Sequence, residues 1–546
     1  MKNIFFVLIL GLLFSTNAQQ INSPKLVVGI VVDQMSYDYI YRYSNKFCDK
    51  GFNKLILNGF NCRNTQYNYI PTYTGPGHAS IYTGTTPSNH GIVGNDWYDR
   101  DKNTLINCVE DSAVKPVGTN SLYGFCSPIN LKTNTITDQL KMTYPNSKVI
   151  SMSIKNRGAI LPGGHLSDGS YWYDYDTGDF ITSTFFKEQM PKWVNKFNED
   201  DFIEKKMKGE WNTILNITEY IESRSDNSKY EHLLPGKKTP TFPYDLNSMS
   251  QIGDKYELFV YTPFANTYLT DFAIESIDNE DLGKDGQTDM LCISYSTPDI
   301  LGHAFGPYSV EIEDMYIRLD LEIKKLIENL NKKVGEDNFV LFLTADHAVV
   351  PVPQYLIDNK LPGGYFFIDE CLNKLRDSVV GKYGEDLVLI QKNLNIYLNH
   401  NRINHLKLDR IEVSKFVAKL IQEWDAVKSV YTADQLYSNS ISNELLDMVS
   451  KGYHYRESGD VIFTLEPGYL PKSTDSHLAR KGTSHGSAYS YDTHVPLLWY
   501  GKNIPVGEAF RKINISDISA TLAHILYLQN PNSLTGKPIL ELFKKQ

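Results

Sequence analysis

The apolar residues of this chain fall into two kinds of pattern. "KLVVGIVVDQM", residues 25–35, is a continuous apolar run that ends at Asp33. A run without alternation predicts a strand buried on both faces, as in a parallel sheet covered by helices. "DMLCISYSTPDILGH" (289–303) and "NFVLFLTADHAVV" (338–350) repeat that logic, and "HVPLLWYG" (494–501) resembles a fourth strand. Between the second and third lies "EIEDMYIRLDLEIKKLIENLNKK", whose apolar positions 312, 315, 319, 323, 326, 327 and 330 share one helical face. Strand, helix, strand in this order implies a βαβ crossover and an α/β fold.

Three of these apolar runs end in Asp, or in Asp and His. Open α/β sheets place ligands at the carboxyl ends of their strands, so Asp33, Asp299 and Asp346 are expected to converge there. Two regions break the pattern. Residues 165–260 are rich in aromatics and turn formers, as in "YWYDYDTGDFITSTFF", and read as an insertion capping the sheet edge. Residues 370–470 read as a second insertion of mixed character, and no internal repeat or low-complexity tract is evident.

Composition narrows the class. With 546 residues, 41% hydrophobic and 22% charged, the chain is globular rather than disordered. Its net charge of −10 argues against nucleic acid as the main partner, but leaves room for a small anionic substrate in a cleft of opposite local charge. "MKNIFFVLILGLLFSTNAQQ" carries Lys2, a short apolar stretch over 4–14 and small residues at Thr16, Asn17 and Ala18. Residues 1–18 therefore read as a secretory signal, with 19–546 as the mature chain, exported to the periplasm or beyond. No later apolar run reaches membrane-spanning length. Export permits disulfides among Cys48, Cys62, Cys108, Cys126, Cys292 and Cys371, with bridges expected first among the four between 48 and 126.

The polar residues at the strand ends point to metal chemistry. Asp299 and His303 are four apart and share a helical face; Asp346 and His347 are adjacent after a strand; His485 lies in the loop "GTSHGS". Each feature alone is ordinary: a strand-end Asp is commonly a turn former, and a D-x-x-x-H pair is commonly solvated. Together with Asp33 they supply three aspartates and three histidines, a set suited to two zinc ions with mixed N/O ligands. "TYTGPGHASIYTG" then offers hydroxyls just before a helix start, at Thr72, Thr74 and, less favourably, Ser80. There the backbone N–H groups favour anions, and a neighbouring zinc would hold the hydroxyl as an alkoxide.

With these pieces in place the chain resembles the alkaline phosphatase superfamily, most closely the PafA-type periplasmic enzymes. The matching segments are "LVVGIVVDQM", "PTYTGPGHASIYTG", "HGIVGNDWYD", "SIKNRGAILPGGH", "STPDILGHAFGP", "TADHAVV" and "KGTSHGSAYSYDTHVPLLWYG". They follow one another in family order across the mature chain. The resemblance implies a three-layer α/β/α sandwich with a largely parallel central sheet, and hydrolysis of a broad range of small phosphate monoesters by a monomer. It implies Thr74 as nucleophile and metal contact, a zinc at Asp33, Asp346 and His347, and a second zinc at Asp299, His303 and His485. Asn95, Lys155 and Arg157 would hold phosphoryl oxygens; the last two are expected in an extended segment that puts both on one face.

Other readings are weaker. A phosphodiesterase of the same superfamily would share the metals and Thr74 but normally lacks a Lys155-x-Arg157 pair. A sulfatase needs Cys or Ser in a C/S-x-P-x-R context, whereas here Thr74, Gly75, Pro76 and Gly77 stand with no Arg after them. A binding protein on a dead scaffold would not need all six metal ligands. His78 is expected to support the site from below, His90 and His494 to stand behind the ligands, and Asp517 to cap the helix after it.

Overall fold

The computed structural model describes residues 23–437, 443–476 and 478–543. The secretory signal expected over residues 1–18 lies outside the described residues. Ten strands form one large sheet among the described residues. Its parallel centre comprises β1 (Leu26–Val32), β2 (Val149–Ser153), β3 (Gly169–Tyr173), β4 (Asp289–Tyr295) and β5 (Phe339–Thr344), ordered β5-β1-β4-β2-β3. The expected fourth strand, β6 (Leu497–Gly501), joins this sheet but runs antiparallel to β5. Every residue of β1, β4 and β5 is buried, the burial that their unbroken apolar runs require.

Helices cover both faces of the sheet. On β4, Ser294 bonds to His78 of α1 (Thr74–Thr83) at 2.8 Å. The next residue, Tyr295, bonds through its hydroxyl to Thr270, on the helix Phe264–Asn279, at 2.9 Å. Successive strand residues point to opposite faces, so these two helices lie on opposite sides and the architecture is a three-layer α/β/α sandwich. On the α1 side, α2 (Asn156–Gly163) packs against α1. On the other side, α3 (Thr297–Phe305) and the long α4 (Val310–Lys333) pack together, with the stripe from Ile312 to Leu330 buried as the sequence requires.

Register brings the strand ends together. Val32 pairs with Tyr295 and Val31 with Thr344, so the residues that follow β1, β4 and β5 leave the sheet at one edge.

Several expectations need correction. The first insertion cannot begin at 165, because Gly169–Tyr173 and Phe180–Ser183 are strands of the main sheet. Their aromatics are fully buried core, which a reading by composition mistook for a cap. Within the second region, Val388–Lys392, Asn395–Leu398, Val427–Thr432 and Val461–Leu465 form a separate four-stranded sheet around its own apolar core. The expected disulfides are absent: all six cysteines are free. Cys62 packs in the main core while Cys108 and Cys126 belong to a smaller cluster, each acting as a small apolar side chain. No helix among the described residues is long and apolar enough to cross a membrane.

Candidate active site

Three aspartates and two histidines converge where the parallel strands end. Asp33 follows β1 directly, Asp299 sits in the first turn of α3 after β4, and Asp346 and His347 follow β5. His485 arrives on the loop before β6. Asp33, Asp346 and His347 are fully buried, and Asp299 and His485 nearly so. Ligand atoms of Asp33, Asp346 and His347 all lie within 4.8 Å of one another, as do those of Asp299, His347 and His485. His347 thus stands between two groups. His303 borders the second group: its Nε2 lies 3.2 Å from Asp299 Oδ1 and its ring centroid 5.1 Å from that of His485.

The backbone aims the imidazoles. Nδ1 of His303, His347 and His485 meets the carbonyl oxygens of Thr483 (2.9 Å), Ala348 (3.0 Å) and Thr72 (2.7 Å) respectively. An Nδ1–H donated to a carbonyl leaves the Nε2 lone pair as the ligand atom, the arrangement typical of metal-binding histidines. His485 also stacks on His347, with ring centroids 3.4 Å apart.

The electrostatics ask for cations. Burial and the facing Asp299 push the Asp33 carboxyl up, but Lys155 and His347 pull it down further, to about 2. Burial likewise opposes ionisation of Asp299, which His303 and Lys155 nevertheless hold well below the usual carboxylate range. Asp346 is pushed well above the usual carboxylate range by burial and then by Asp33, a rise that Lys155 offsets only in part. Among the described residues the Lys155 ammonium is the one lysine or arginine cation bonded into the group, to Asp33 Oδ2 at 2.7 Å and to Asp299 Oδ2. Asp33 Oδ1, Asp346 Oδ2 and His347 Nε2 are buried without a hydrogen-bond partner among the described residues. Orphaned carboxylate and imidazole atoms cost free energy unless a cation satisfies them, so these residues fit a bound metal.

Thr74 is the first residue of α1 and is buried. The residue before it, Tyr73, is extended and gives the helix no side-chain cap. Instead Asn95 Oδ1 accepts the Gly75 N–H at 2.7 Å, which fixes the Asn95 amide and frees its NH2 to donate elsewhere. Gly77 lets α1 approach the ligands: a Cβ there would lie 2.4 Å from the Asp346 carbonyl oxygen. The competing hydroxyls are engaged away from the cluster, Thr72 with the Ser487 carbonyl at 3.0 Å and Ser80 with His90 at 2.9 Å.

Comparison with known proteins identifies the family. The model of the type I phosphodiesterase / nucleotide pyrophosphatase family matches residues 27–488. Alkaline phosphatase PafA of Elizabethkingia meningoseptica is 39% identical over 539 residues, 97% of each chain. The crystal structure of wild-type PafA matches with a TM-score of 0.91 at 39% identity, over 96% of this chain and 99% of that one. The chain belongs to the PafA-type alkaline phosphatases. A Myroides odoratus protein named calcium-transporting ATPase is also 39% identical, over 532 residues covering 97% of this chain and 96% of that one.

For a PafA-type phosphatase, two site features escaped sequence reasoning. Lys155 and Arg157 are not on an extended segment: Lys155 is the N-cap of α2 and Arg157 lies in its first turn. The buried run from Gly158 to Gly163 packs as a helix against α1 and β2, which overrides the extended reading. Arg157 Nε is buried and unpartnered. Gln34 was not singled out at all. Its backbone N–H reaches Asp346 Oδ1 at 3.2 Å and its Nε2 reaches Asp299 Oδ1 at 2.5 Å. It does so from a left-handed conformation, φ 65°, rare for a non-glycine residue. Only its place directly after Asp33 could have flagged it.

His78 does sit below the site, with Nδ1 at 2.9 Å from the Thr74 carbonyl oxygen; burial lowers its pKa to about 4. His90 bonds to Ser80, and His494 stacks on Tyr37, so neither touches a ligand candidate. Asp517 does not cap the helix after it: it is that helix's first residue, and its carboxylate accepts the N–H groups of Asn514 and Lys537.

Proposed function

We propose that this enzyme hydrolyses small phosphate monoesters through a covalent phosphothreonine at Thr74, with two zinc ions. The observation that carries the reading is the set of buried, unpartnered ligand atoms on Asp33, Asp346 and His347 beside the N-terminus of α1. Asp33, Asp346 and His347 would hold one ion and Asp299, His485 and His303 the other, with His347 near both. When bound, the ions would neutralise the carboxylates, favour the ionised Thr74 hydroxyl and stabilise the leaving oxygen.

In the first step Thr74 Oγ1 bonds to phosphorus as the bond to the ester oxygen breaks, and the alcohol leaves with a proton. In the second, water displaces Thr74, restoring its hydroxyl and releasing inorganic phosphate. Phosphoryl transfer needs positioning and charge neutralisation more than covalent help. Asn95 would donate its amide to one phosphoryl oxygen. Arg157 presents a planar fork to two more, and Lys155 adds a mobile positive charge. The matched family model also covers phosphodiesterases, and the Lys155–Arg157 pair is the feature that favours monoesters, whose phosphoryl group carries one more charged oxygen. The terminal phosphoryl group of ATP presents the same face, so a relative with an ATPase name is compatible with this site.

The test compares initial rates on p-nitrophenyl phosphate, bis-p-nitrophenyl phosphate and p-nitrophenyl sulfate, with zinc present. The monoester should be fastest, and replacing Lys155 and Arg157 by Met should reduce its rate more than the diester's. A faster diester in the native enzyme, or equal losses in the variant, would count against the proposal.

A further inference from the structure

The regions flanking the sheet edge meet over His303 around a cavity of about 480 Å³. His232 and Leu234 come from one side and Tyr261 from another; Lys472 and Lys481 come from the segment that leads into the His485 loop. His303 and Thr483 form the part of the wall nearest the candidate metal ligands. The cavity therefore adjoins the Asp299 side of the site, where the leaving oxygen of the ester would lie.

Its charges are unequally compensated. Lys472, the last residue of the strand Tyr469–Lys472, is half-buried, and no carboxylate among the described residues pairs with it. Burial lowers its pKa, and no opposing acid offsets that effect. Lys481 donates to the backbone oxygen of Glu231 at 2.9 Å, and its charge acts on the Glu231 carboxyl, whose ionisation burial opposes. The acids on the facing wall, Asp254 and Glu257, both lie at the start of the helix Lys255–Val260. There Asp254 accepts two backbone N–H groups at 2.9 Å, and Glu257 faces the positive end of the helix. Asp254 and Glu257 are thus balanced by their own helix, and burial raises the Glu231 pKa to about 10, which leaves the lysines as the charge facing the cavity.

Building on the monoester reading, we propose that Lys472 and Lys481 select substrates whose leaving group carries a second anion, a carboxylate or another phosphate. A half-buried ammonium without a partner gains most from an anion that shares its site. Both lysines line the same cavity as His303 and Thr483, and its volume of about 480 Å³ leaves room for a leaving group that carries a second anion.

The experiment measures kcat/KM for 3-phosphoglycerate, fructose 1,6-bisphosphate and p-nitrophenyl phosphate in the zinc-loaded enzyme. The readout is the ratio of each polyanionic ester to p-nitrophenyl phosphate. Lys472→Met with Lys481→Met should lower both ratios about tenfold, the loss expected for a charge-assisted contact. Lys472→Arg should retain most of the preference, and Glu257→Gln should raise it, which guards against a folding defect in the double variant. A fall for only one polyanion also supports the site and names the anion it takes. Unchanged ratios in the double variant, with the native enzyme active on p-nitrophenyl phosphate, overturn this inference and leave the monoester reading intact. A native enzyme inactive on all three esters overturns both.

Discussion

Gln34 is a residue whose removal should weaken metal binding without touching a metal. Its side-chain amide donates to Asp299 Oδ1 at 2.5 Å, and its backbone N–H donates to Asp346 Oδ1, so one residue orients a carboxylate of each group. Gln34→Met keeps the length and the unbranched shape but removes the donor. A hydrogen bond to a charged group contributes about 1.5–3 kcal/mol. Losing one behind a ligand typically costs about 10–100-fold in metal affinity. Gly302 supplies an independent arm, because a Cβ there would lie 1.8 Å from Gln34 Oε1 and would push the amide away. Gly302→Ala should therefore show the same loss of affinity, together with a lower melting temperature. Adding Gln34→Ala to Gly302→Ala should relieve the clash and restore melting of the metal-free protein, but not zinc affinity. The assay is chelator competition for zinc, with melting of the metal-free protein as the control for folding. Wild-type affinity in Gln34→Met would refute the orienting role. So would a double variant that recovers affinity along with stability.

Thr74→Ala should abolish both turnover and acid-stable phosphoprotein while zinc content stays at the native level; labelled phosphoprotein in this variant would mean another nucleophile. If the proposed two-ion site is right, His347→Ala should deplete both ions, since His347 belongs to both ligand groups, whereas His303→Ala should weaken only one. Elemental analysis decides this, and full retention of one ion in His347→Ala would contradict the shared position. Away from the site, Glu311 is fully buried and accepts from the Tyr244 hydroxyl; burial raises its pKa to about 8, and that of neighbouring Glu231 to about 10. A carboxyl raised in the folded state holds a proton that the unfolded chain releases, so stability should fall as pH rises from about 4.5 to 8. Glu311→Gln cannot ionise and should reduce that fall by a few kcal/mol, at about 1.4 kcal/mol for each tenfold change in the acid's ionisation constant. An unchanged decline in melting temperature between pH 5 and pH 9 would sink the argument.

How much of this was legible in the sequence depends on the range over which each feature is set. The parallel centre was readable because burial on both faces leaves unbroken apolar runs, and in-register pairing then forces Asp33, Asp299 and Asp346 to one edge. The Asp299–His303 contact was readable because helical spacing is local. His485 was readable as a candidate from its Gly/Ser-rich loop, but its stacking on His347 was not, since that loop brings it in from 138 residues away in the chain. Lys155 and Arg157 were found as a pair, but their conformation was missed. The helix that carries Arg157 exists because its apolar residues pack on α1 and β2, and tertiary packing outweighs local propensity there. Gln34 carries no spacing or composition signal, for its role follows from a left-handed backbone that turns its N–H and its amide toward two carboxylates. Sequence therefore announces donors that sit on regular elements. It stays silent on residues that orient those donors through turns, as Gln34 does for Asp299 and Asp346.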